Sequence, residues 1–197
     1  MNDYITKFLE DHPDNIPRLK IFQQLLSFFP LGRLIDLGTA YGEFAITAAD
    51  KGWDVVATDA RKELWPDDSR IEWIQQDVRE TSFDGYDLIL CLGLFYHLTL
   101  QDQLNFLRKC SGTPLILDTH MRPALEQEQD DPKDDYYYGR VCPEDGTVVS
   151  SWGNEESFWP TYKSLKRMLL NNGYKTILVT EPFYWPDRTF FLCLGGE

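Results

Sequence analysis

Apolar and polar positions alternate along this chain in two rhythms, and the switches between them outline a fold. Residues 3–10 and 17–29 repeat at helical spacing; in the second segment Leu19, Phe22, Leu25, Leu26 and Phe29 make one apolar face. Pro30 and Gly32 end that segment. Short apolar-rich segments then read as strands at Arg33–Leu37, Trp53–Thr58, Ile71–Gln75, Asp87–Leu92 and Pro114–Asp118. Helical segments lie between some of them, from about Gly42 to Lys51 and over Gln101–Cys110. Strands alternating with helices predict a parallel, doubly wound sheet.

The rhythm fails after His120. Residues 121–156 show no periodicity and are rich in Asp, Glu, Pro and Tyr, with PKDDYYYGR at the centre. An insertion of that length inside a compact domain is functional or disordered more often than not. Regularity returns with a helix over Pro160–Asn171, with Thr161 as N-cap and Gly173 as stop. Tyr174–Thr180 and Thr189–Leu194 predict a closing antiparallel hairpin. The fold class expected is α/β: Rossmann-like, doubly wound, with a mostly parallel seven-stranded sheet and an antiparallel C-terminal hairpin strand. All 197 residues fit one domain. Within it, 1–32 supply N-terminal helices, 33–120 a cofactor-binding half, 121–156 an insertion and 157–197 the last helix and strands.

Composition narrows the partners. The formal charge is −13, and the longest basic grouping, Lys163 to Arg167, falls on a helix. A surface that neutralises phosphates needs clustered cations, so nucleic acid and anionic membranes are not expected as partners. Cys91, Cys110, Cys142 and Cys193 are far apart with no CxxC spacing, so no structural zinc is expected. Two of them, Cys91 and Cys193, lie in apolar strands, which suits reduced thiols in the cytoplasm. The first residues lack an apolar export segment, and no apolar run is long enough to span a bilayer. The oligomeric state is not legible.

The most informative segment is Leu34-Ile-Asp-Leu-Gly-Thr-Ala-Tyr-Gly42. A strand delivers Asp36, and a turn follows that holds Gly38, Thr39, Ala40 and Gly42. Asp59 lies at the tip of the next strand, where an acid can accept both ribose hydroxyls of a nucleoside. The G-x-G-x-x-G spacing of a dinucleotide site is absent, and Glu43 stands where a pyrophosphate would approach the helix N-terminus. The loop therefore suits a nucleoside cofactor without phosphate.

The loop DLGTAYG resembles the first motif of class I S-adenosylmethionine-dependent methyltransferases, and the resemblance continues in order from Arg33 to Leu194. VVATDA resembles their second strand, which places Asp59 and Ala60 at the ribose. IQQDVRE resembles the segment whose acid and following amide hold adenine, here Asp77 and Val78. DLILCLGLFYHL resembles the fourth strand and the loop beneath the methyl donor, here Cys91, Leu92 and Gly93. SFWPTYKSLKRMLLNNGY resembles a late motif of small bacterial methyltransferases. Enzymes that carboxymethylate a tRNA wobble uridine share part of it, but their larger basic N-terminal part has no counterpart in the short acidic segment here. The resemblance implies S-adenosyl-L-methionine as cofactor.

Methyl transfer from a sulfonium to a hydroxyl needs an aligned acceptor and a proton acceptor. His97 and His120 follow the fourth and fifth strands, at the functional edge of such a sheet, and are the candidate bases. Each also fits a purely structural role. An ion held by Asp118 and His120 lacks further ligands at metal spacing, so no metal is expected. Tyr96, Tyr137, Arg140, Trp152 and Trp159 combine aromatic surface with one cation and are candidate acceptor contacts, with 121–156 as a lid over the acceptor. The reading is methyl transfer to oxygen or nitrogen of a small molecule, such as a sugar or secondary metabolite. An RNA- or protein-modifying enzyme and a non-catalytic cofactor-binding subunit stay open as alternatives. The DPPY or NPPY tetrapeptide of many base-amine methyltransferases is replaced by Cys91-Leu-Gly-Leu.

Overall fold

A computed structural model of the chain describes residues 2–110, 112–123, 136–147, 150–181 and 183–196. Two helices, α1 (Asp3–Asp11) and α2 (Asn15–Leu26), precede the alternating part. Pro17 sits in the first turn of α2, where its missing N–H has no helical partner to lose. The alternating part runs β1 (Arg33–Leu37), α3 (Glu43–Asp50), β2 (Asp54–Asp59), β3 (Ile71–Gln75), β4 (Leu88–Leu92), α4 (Leu100–Cys110) and β5 (Leu115–His120). A single 3-10 turn, Phe95–His97, lies between β4 and α4. After it come β6 (Gly139–Pro143), β7 (Glu156–Pro160), α5 (Tyr162–Asn171), β8 (Tyr174–Val179) and β9 (Arg188–Gly195).

The main sheet has seven strands in the order β3-β2-β1-β4-β5-β9-β8. Strands β1 to β5 pair in parallel, β9 runs antiparallel to β5, and β8 antiparallel to β9. Strand alternation sends neighbouring side chains into opposite layers. Leu34, Leu88, Leu90 and Ile116 pack with Phe22, Phe44 and Ile46 of α2 and α3. Ile35, Ile89, Cys91 and Leu117 pack with Phe106, Leu107, Leu165 and Met168 of α4 and α5. Both faces are thus covered, which is why the central strands read as unbroken apolar runs. The order reverses between β1 and β4, and a crevice at the carboxyl ends of those strands is the usual ligand position in such sheets.

The end of the 121–156 segment departs from expectation. Residues 139–143 and 156–160 pair as a two-stranded antiparallel sheet, with Val141 opposite Phe158 and Arg140 opposite Trp159. This ribbon is fixed to the framework. The Phe158 amide donates to the Leu98 carbonyl at 2.9 Å. Buried Gln103 of α4 donates to the carbonyls of Phe95, Leu98 and Phe158, tying ribbon and 3-10 turn together. Its strands were missed because their pairing is anchored by distant groups and leaves one face exposed, so no local apolar rhythm marks it. The remainder of the expected lid, 124–135 and 148–149, lies outside the described residues. Thr161 caps α5 as expected, its hydroxyl accepting from the Ser164 amide at 3.2 Å. The cysteines are free, and Cys91, Cys110 and Cys193 are buried. Among the described residues no helix is long and apolar enough to cross a membrane.

Candidate active site

Two adjoining cavities open over the crevice. One is lined by Asp59, Ala60, Arg61, Asp77, Val78 and Arg79 from the ends of β2 and β3, and by Ser150, Ser151 and Trp152 from the loop between β6 and β7. The other is lined by Asp36, Thr39, Glu43 and Leu92, by Asn15 and Arg18 of α2, and by Tyr96 and Arg188. Gly38, Ala40, Gly93 and His97 border both.

The turn after β1 shapes their junction. Ala40 is the one non-glycine at positive φ among the described residues, at 43°, a conformation that costs roughly 1–2 kcal/mol for an L-residue. The strain turns its amide toward Asp59, whose Oδ2 accepts it at 3.0 Å, while Oδ1 accepts the Arg61 amide at 2.9 Å. Gly93, at φ 101°, marks a close approach on the other side. A Cβ there would meet Arg188 Nη2 at 3.0 Å and Arg18 Nη2 at 3.2 Å. Only a glycine lets the backbone lie against both guanidinium groups.

Charge is arranged around the second cavity. Asp118 is fully buried between two arginines: Arg18 Nη2 and Arg188 Nη2 each lie 2.8 Å from its Oδ2. Tyr184 donates its hydroxyl to Asp118 Oδ1 at 2.6 Å. Burial alone would raise this carboxyl, but the two guanidinium groups and their hydrogen bonds hold it below the usual carboxylate range. Glu43 lies 3.9 Å from Arg18 Nη1 and is pushed up by burial. It occupies the first turn of α3, so a phosphate there would meet a carboxylate.

Asp36 is buried, and desolvation, helped by the neighbouring Glu43 and Asp59 charges, pushes its pKa up to about 7 against the hydrogen bond from Thr39 Oγ1 at 2.7 Å. Its folded value thus exceeds the ordinary unfolded value of about 4. Between those values the folded state holds the extra proton, so this group's stabilising contribution is full below about pH 4 and is lost as pH climbs toward about 7. Asp36→Asn removes the titration and still accepts from Thr39. Urea unfolding of both proteins is expected to show the variant gaining on the wild type steadily from pH 4 to 7 and holding its lead above. A difference independent of pH would show that Asp36 is ionised throughout.

The candidate bases separate. β4 and β5 are neighbours, and the rings of His97 and His120 both pack on Tyr96, at 4.2 and 4.6 Å between centroids. Only His97 borders the cavities. His120 stands behind Tyr96, stacked on Trp159 at 4.8 Å, with Nδ1 3.0 Å from Asp187 and Nε2 3.4 Å from Arg188 Nη1. Burial, and then Arg188, depress its pKa. A donor on one nitrogen and an acceptor on the other leave the His120 ring no free lone pair.

The other expected residues also divide. Asp77 is gripped by Arg79, with Nη2 2.5 Å from Oδ2 and the Arg79 amide 2.9 Å from Oδ1. Trp152 lies at the cavity of Asp59 and Asp77, with the Arg61 guanidinium 5.1 Å from its ring centroid. The 150–152 part of the expected acceptor lid therefore covers the cavity of Asp59 and Asp77. Arg61 donates to the Ser150 and Ser151 carbonyls and Arg79 to that of Trp152. Tyr137 and Arg140 are not brought to either cavity. Tyr137 is held against α5 by Asn171 and Arg167, and Arg140 is exposed on the ribbon. Trp159 reaches the site only through His120 and Tyr96. Cys91 has its side chain in the core, and Gly42 serves as the left-handed N-cap of α3.

Sequence reasoning missed Arg18, Arg61, Arg79, Glu144 and Arg188. A signal existed for two of them: Asp59-Ala-Arg61 and Asp77-Val-Arg79 repeat one Asp-x-Arg pattern at successive strand ends.

A methyltransferase-domain family matches residues 8–179. The chain belongs to that methyltransferase family. No curated protein matches it in sequence. Among solved structures, the N-terminal domain of EvdMO1 with S-adenosylhomocysteine (SAH) bound is similar over 91% of this chain and 79% of its own, at 18% identity and a TM-score of 0.69. The glycopeptide N-methyltransferase MtfA complexed with SAH is similar over 92% and 90%, at 16% identity and a TM-score of 0.65. The 1,6-didemethyltoxoflavin-N1-methyltransferase of Burkholderia thailandensis, with its acceptor and SAH bound, covers 96% and 81%, at 12% identity and a TM-score of 0.65. These likenesses establish a shared fold, and the methyltransferase keeps the strand order that creates its crevice.

Proposed function

We propose that this methyltransferase transfers a methyl group from S-adenosyl-L-methionine to an oxygen or nitrogen atom of a small-molecule acceptor, such as a sugar or secondary metabolite. The carrying observation is the pair of cavities that meet at Gly38, Ala40, Gly93 and His97. The first matches adenosine: Asp59 at the ribose and Asp77 with Val78 at the base. The second offers Arg18 to a carboxylate, and Asp36 and Glu43 to an ammonium. No phosphate is accommodated beside Glu43, which fits this cofactor and not a dinucleotide. The bound cofactor supplies an electrophilic methyl carbon. Tyr96 and His97 border the junction where an acceptor would meet it, and His97 is assigned as the proton acceptor. His120, with Trp159, is assigned to support Tyr96. Two structural neighbours are named as a glycopeptide N-methyltransferase and a 1,6-didemethyltoxoflavin-N1-methyltransferase, and the EvdMO1 domain has also been crystallised in the presence of D-fucose; these names support a small acceptor here.

Calorimetry tests the cofactor directly. S-adenosylmethionine and SAH are expected to bind at micromolar concentration, about −8 kcal/mol, and NAD not at all. Asp59→Ala is expected to weaken SAH binding by about 1.5–3 kcal/mol, since it removes a charged hydrogen-bond acceptor and releases the Ala40 amide. Binding of NAD with no binding of either sulfur compound would refute the reading. An unchanged SAH affinity would remove Asp59 from the site.

A further inference from the structure

His97 is gripped from the far side of the site. Its Nδ1 lies 3.1 Å and 3.2 Å from the two carboxylate oxygens of Glu144. Glu144 follows β6 and is itself fixed: Oε2 accepts the Ser151 amide at 3.0 Å, and its own amide donates to the Glu155 carbonyl at 3.0 Å. The same loop holds the His97 backbone, with Asn154 Nδ2 donating to the His97 carbonyl at 3.0 Å. Both side chains are largely shielded, at 9% exposure for Glu144 and 18% for His97.

An ionised carboxylate only accepts hydrogen bonds, so the proton of a neutral ring in this contact sits on Nδ1. The lone pair is then on Nε2. We propose that Glu144 is a positioning residue, whose carboxylate fixes His97 as the Nδ1–H tautomer and thereby sets Nε2 as the proton acceptor at the junction of the two cavities. This rests on the methyl-transfer reading above. In the step it serves, an acceptor O–H or N–H gives its proton to Nε2. The acceptor's electron pair forms the bond to the methyl carbon, and the sulfur keeps the pair of the bond that breaks. The resulting imidazolium lies against Glu144, and its proton passes to water after product leaves.

The surrounding charges show why a carboxylate is needed. Burial depresses the His97 pKa most, and Arg188 from β9 and Arg61 after β2 add to the depression. Tyr96 packs on the ring without charge. Glu144 opposes all three influences, through its hydrogen bond and its charge. With it, the ring is neutral at neutral pH yet retains enough basicity to take a proton in the transition state. Without it, only depressing influences remain. A merely structural tie between the ribbon loop and the 3-10 turn needs only an acceptor for Nδ1–H, which the amide oxygen of Glu144→Gln still offers, so the His97 pKa in that variant separates the two roles.

The test uses the full chain with 15N-labelled histidine, saturated with SAH. The sequence has three histidines, and His97→Gln assigns the signals. Long-range 1H–15N spectra are expected to show His97 as the Nδ1–H tautomer. Glu144→Gln, close in shape, is expected to lower the His97 pKa by about one unit, a tenfold loss of proton affinity, with the His120 signals unmoved. Glu144→Ala is expected to abolish the Nδ1–H bias. An Nε2–H tautomer in the wild type overturns the proposal, as does a Glu144→Gln protein with the His97 pKa unchanged. If a variant fails to fold, the wild-type tautomer decides alone. SAH binding is measured on the same samples by calorimetry. Absence of binding would sink the cofactor reading, whereas the tautomer tests Glu144 separately.

Discussion

Replacing Asp118 by alanine is expected to destabilise the protein by about 3–5 kcal/mol, the cost of leaving buried charge without its partner. Asp118 is fully buried, and the Arg18 and Arg188 side chains beside it are only 12% and 13% exposed. Removing the one anion between them leaves two guanidinium groups facing each other across the backbone at Gly93. The loss approaches the whole stability of a modest domain, so the milder Asp118→Asn serves as the quantitative variant. Asparagine keeps an acceptor for Tyr184 but not the charge, and a smaller loss in the same direction is expected. The sign against pH follows from the depressed carboxyl. Its stabilisation is present above the ordinary carboxylate value of about 4 and disappears as pH falls below it. The gap between wild type and Asp118→Asn in urea unfolding should therefore close in acid. Adding Arg188→Met to Asp118→Ala should recover part of the loss, because it removes one of the orphaned cations. A loss below about 1 kcal/mol for Asp118→Ala, or a gap that widens in acid, would show that the triad is not held by charge.

The parts of this fold that were legible in the sequence are those whose stability is local to a strand. The Ile71–Gln75 strand has the bounds expected from its sequence, and Arg33–Leu37 likewise. Covered on both faces, the central strands cannot carry polar residues without a partner. β5 is longer than its apolar run, extending through Thr119 and His120. Those residues are strand because they pair with Thr189 and Arg188 of β9, and no local pattern encodes that pairing. The ribbon of β6 and β7 stayed hidden for the same reason. Its strands face each other across a loop and are secured by Gln103 and Leu98, far away in sequence.

The site divides along the same line. Asp36, Asp59 and Asp77 were visible because a strand-end acid is a position, readable once strands are placed. Their cationic neighbours were less visible because a partner is a relation. Arg18 meets Asp118 at a separation of 100 residues, and Glu144 meets His97 at 47. Nothing in the sequence distinguishes one acid of the 126–145 stretch from another. Glu144 is turned inward onto a histidine. Composition describes a segment and does not single out the member that the fold buries.

His97→Ala is expected to lower turnover by about 10²–10⁴-fold, the usual worth of a positioned general base, while SAH affinity changes less than threefold. The sulfonium leaves as a neutral thioether and needs no proton, so the chemistry calls for one proton acceptor and no acid. His97 is the histidine that borders both cavities, whereas the ring nitrogens of His120 are engaged by Asp187 and Arg188. The proposed role requires the neutral ring. Burial, followed by the Arg188 and Arg61 charges, sets the His97 pKa below the ordinary value of 6.5 despite Glu144. The wild-type rate should therefore be level through neutral pH and fall only in acid, below about 6.5. That acid limb should vanish in the variant, and added imidazole should restore part of the rate by entering the space the ring vacated. His120→Ala should behave differently, losing stability while keeping the acid limb. The measurement is transfer of labelled methyl from S-adenosylmethionine into acceptors of a metabolite extract, with SAH binding followed in parallel. If His97→Ala turns over at the wild-type rate, the acceptor atom arrives already deprotonated, as a neutral amine would, and His97 is not the base.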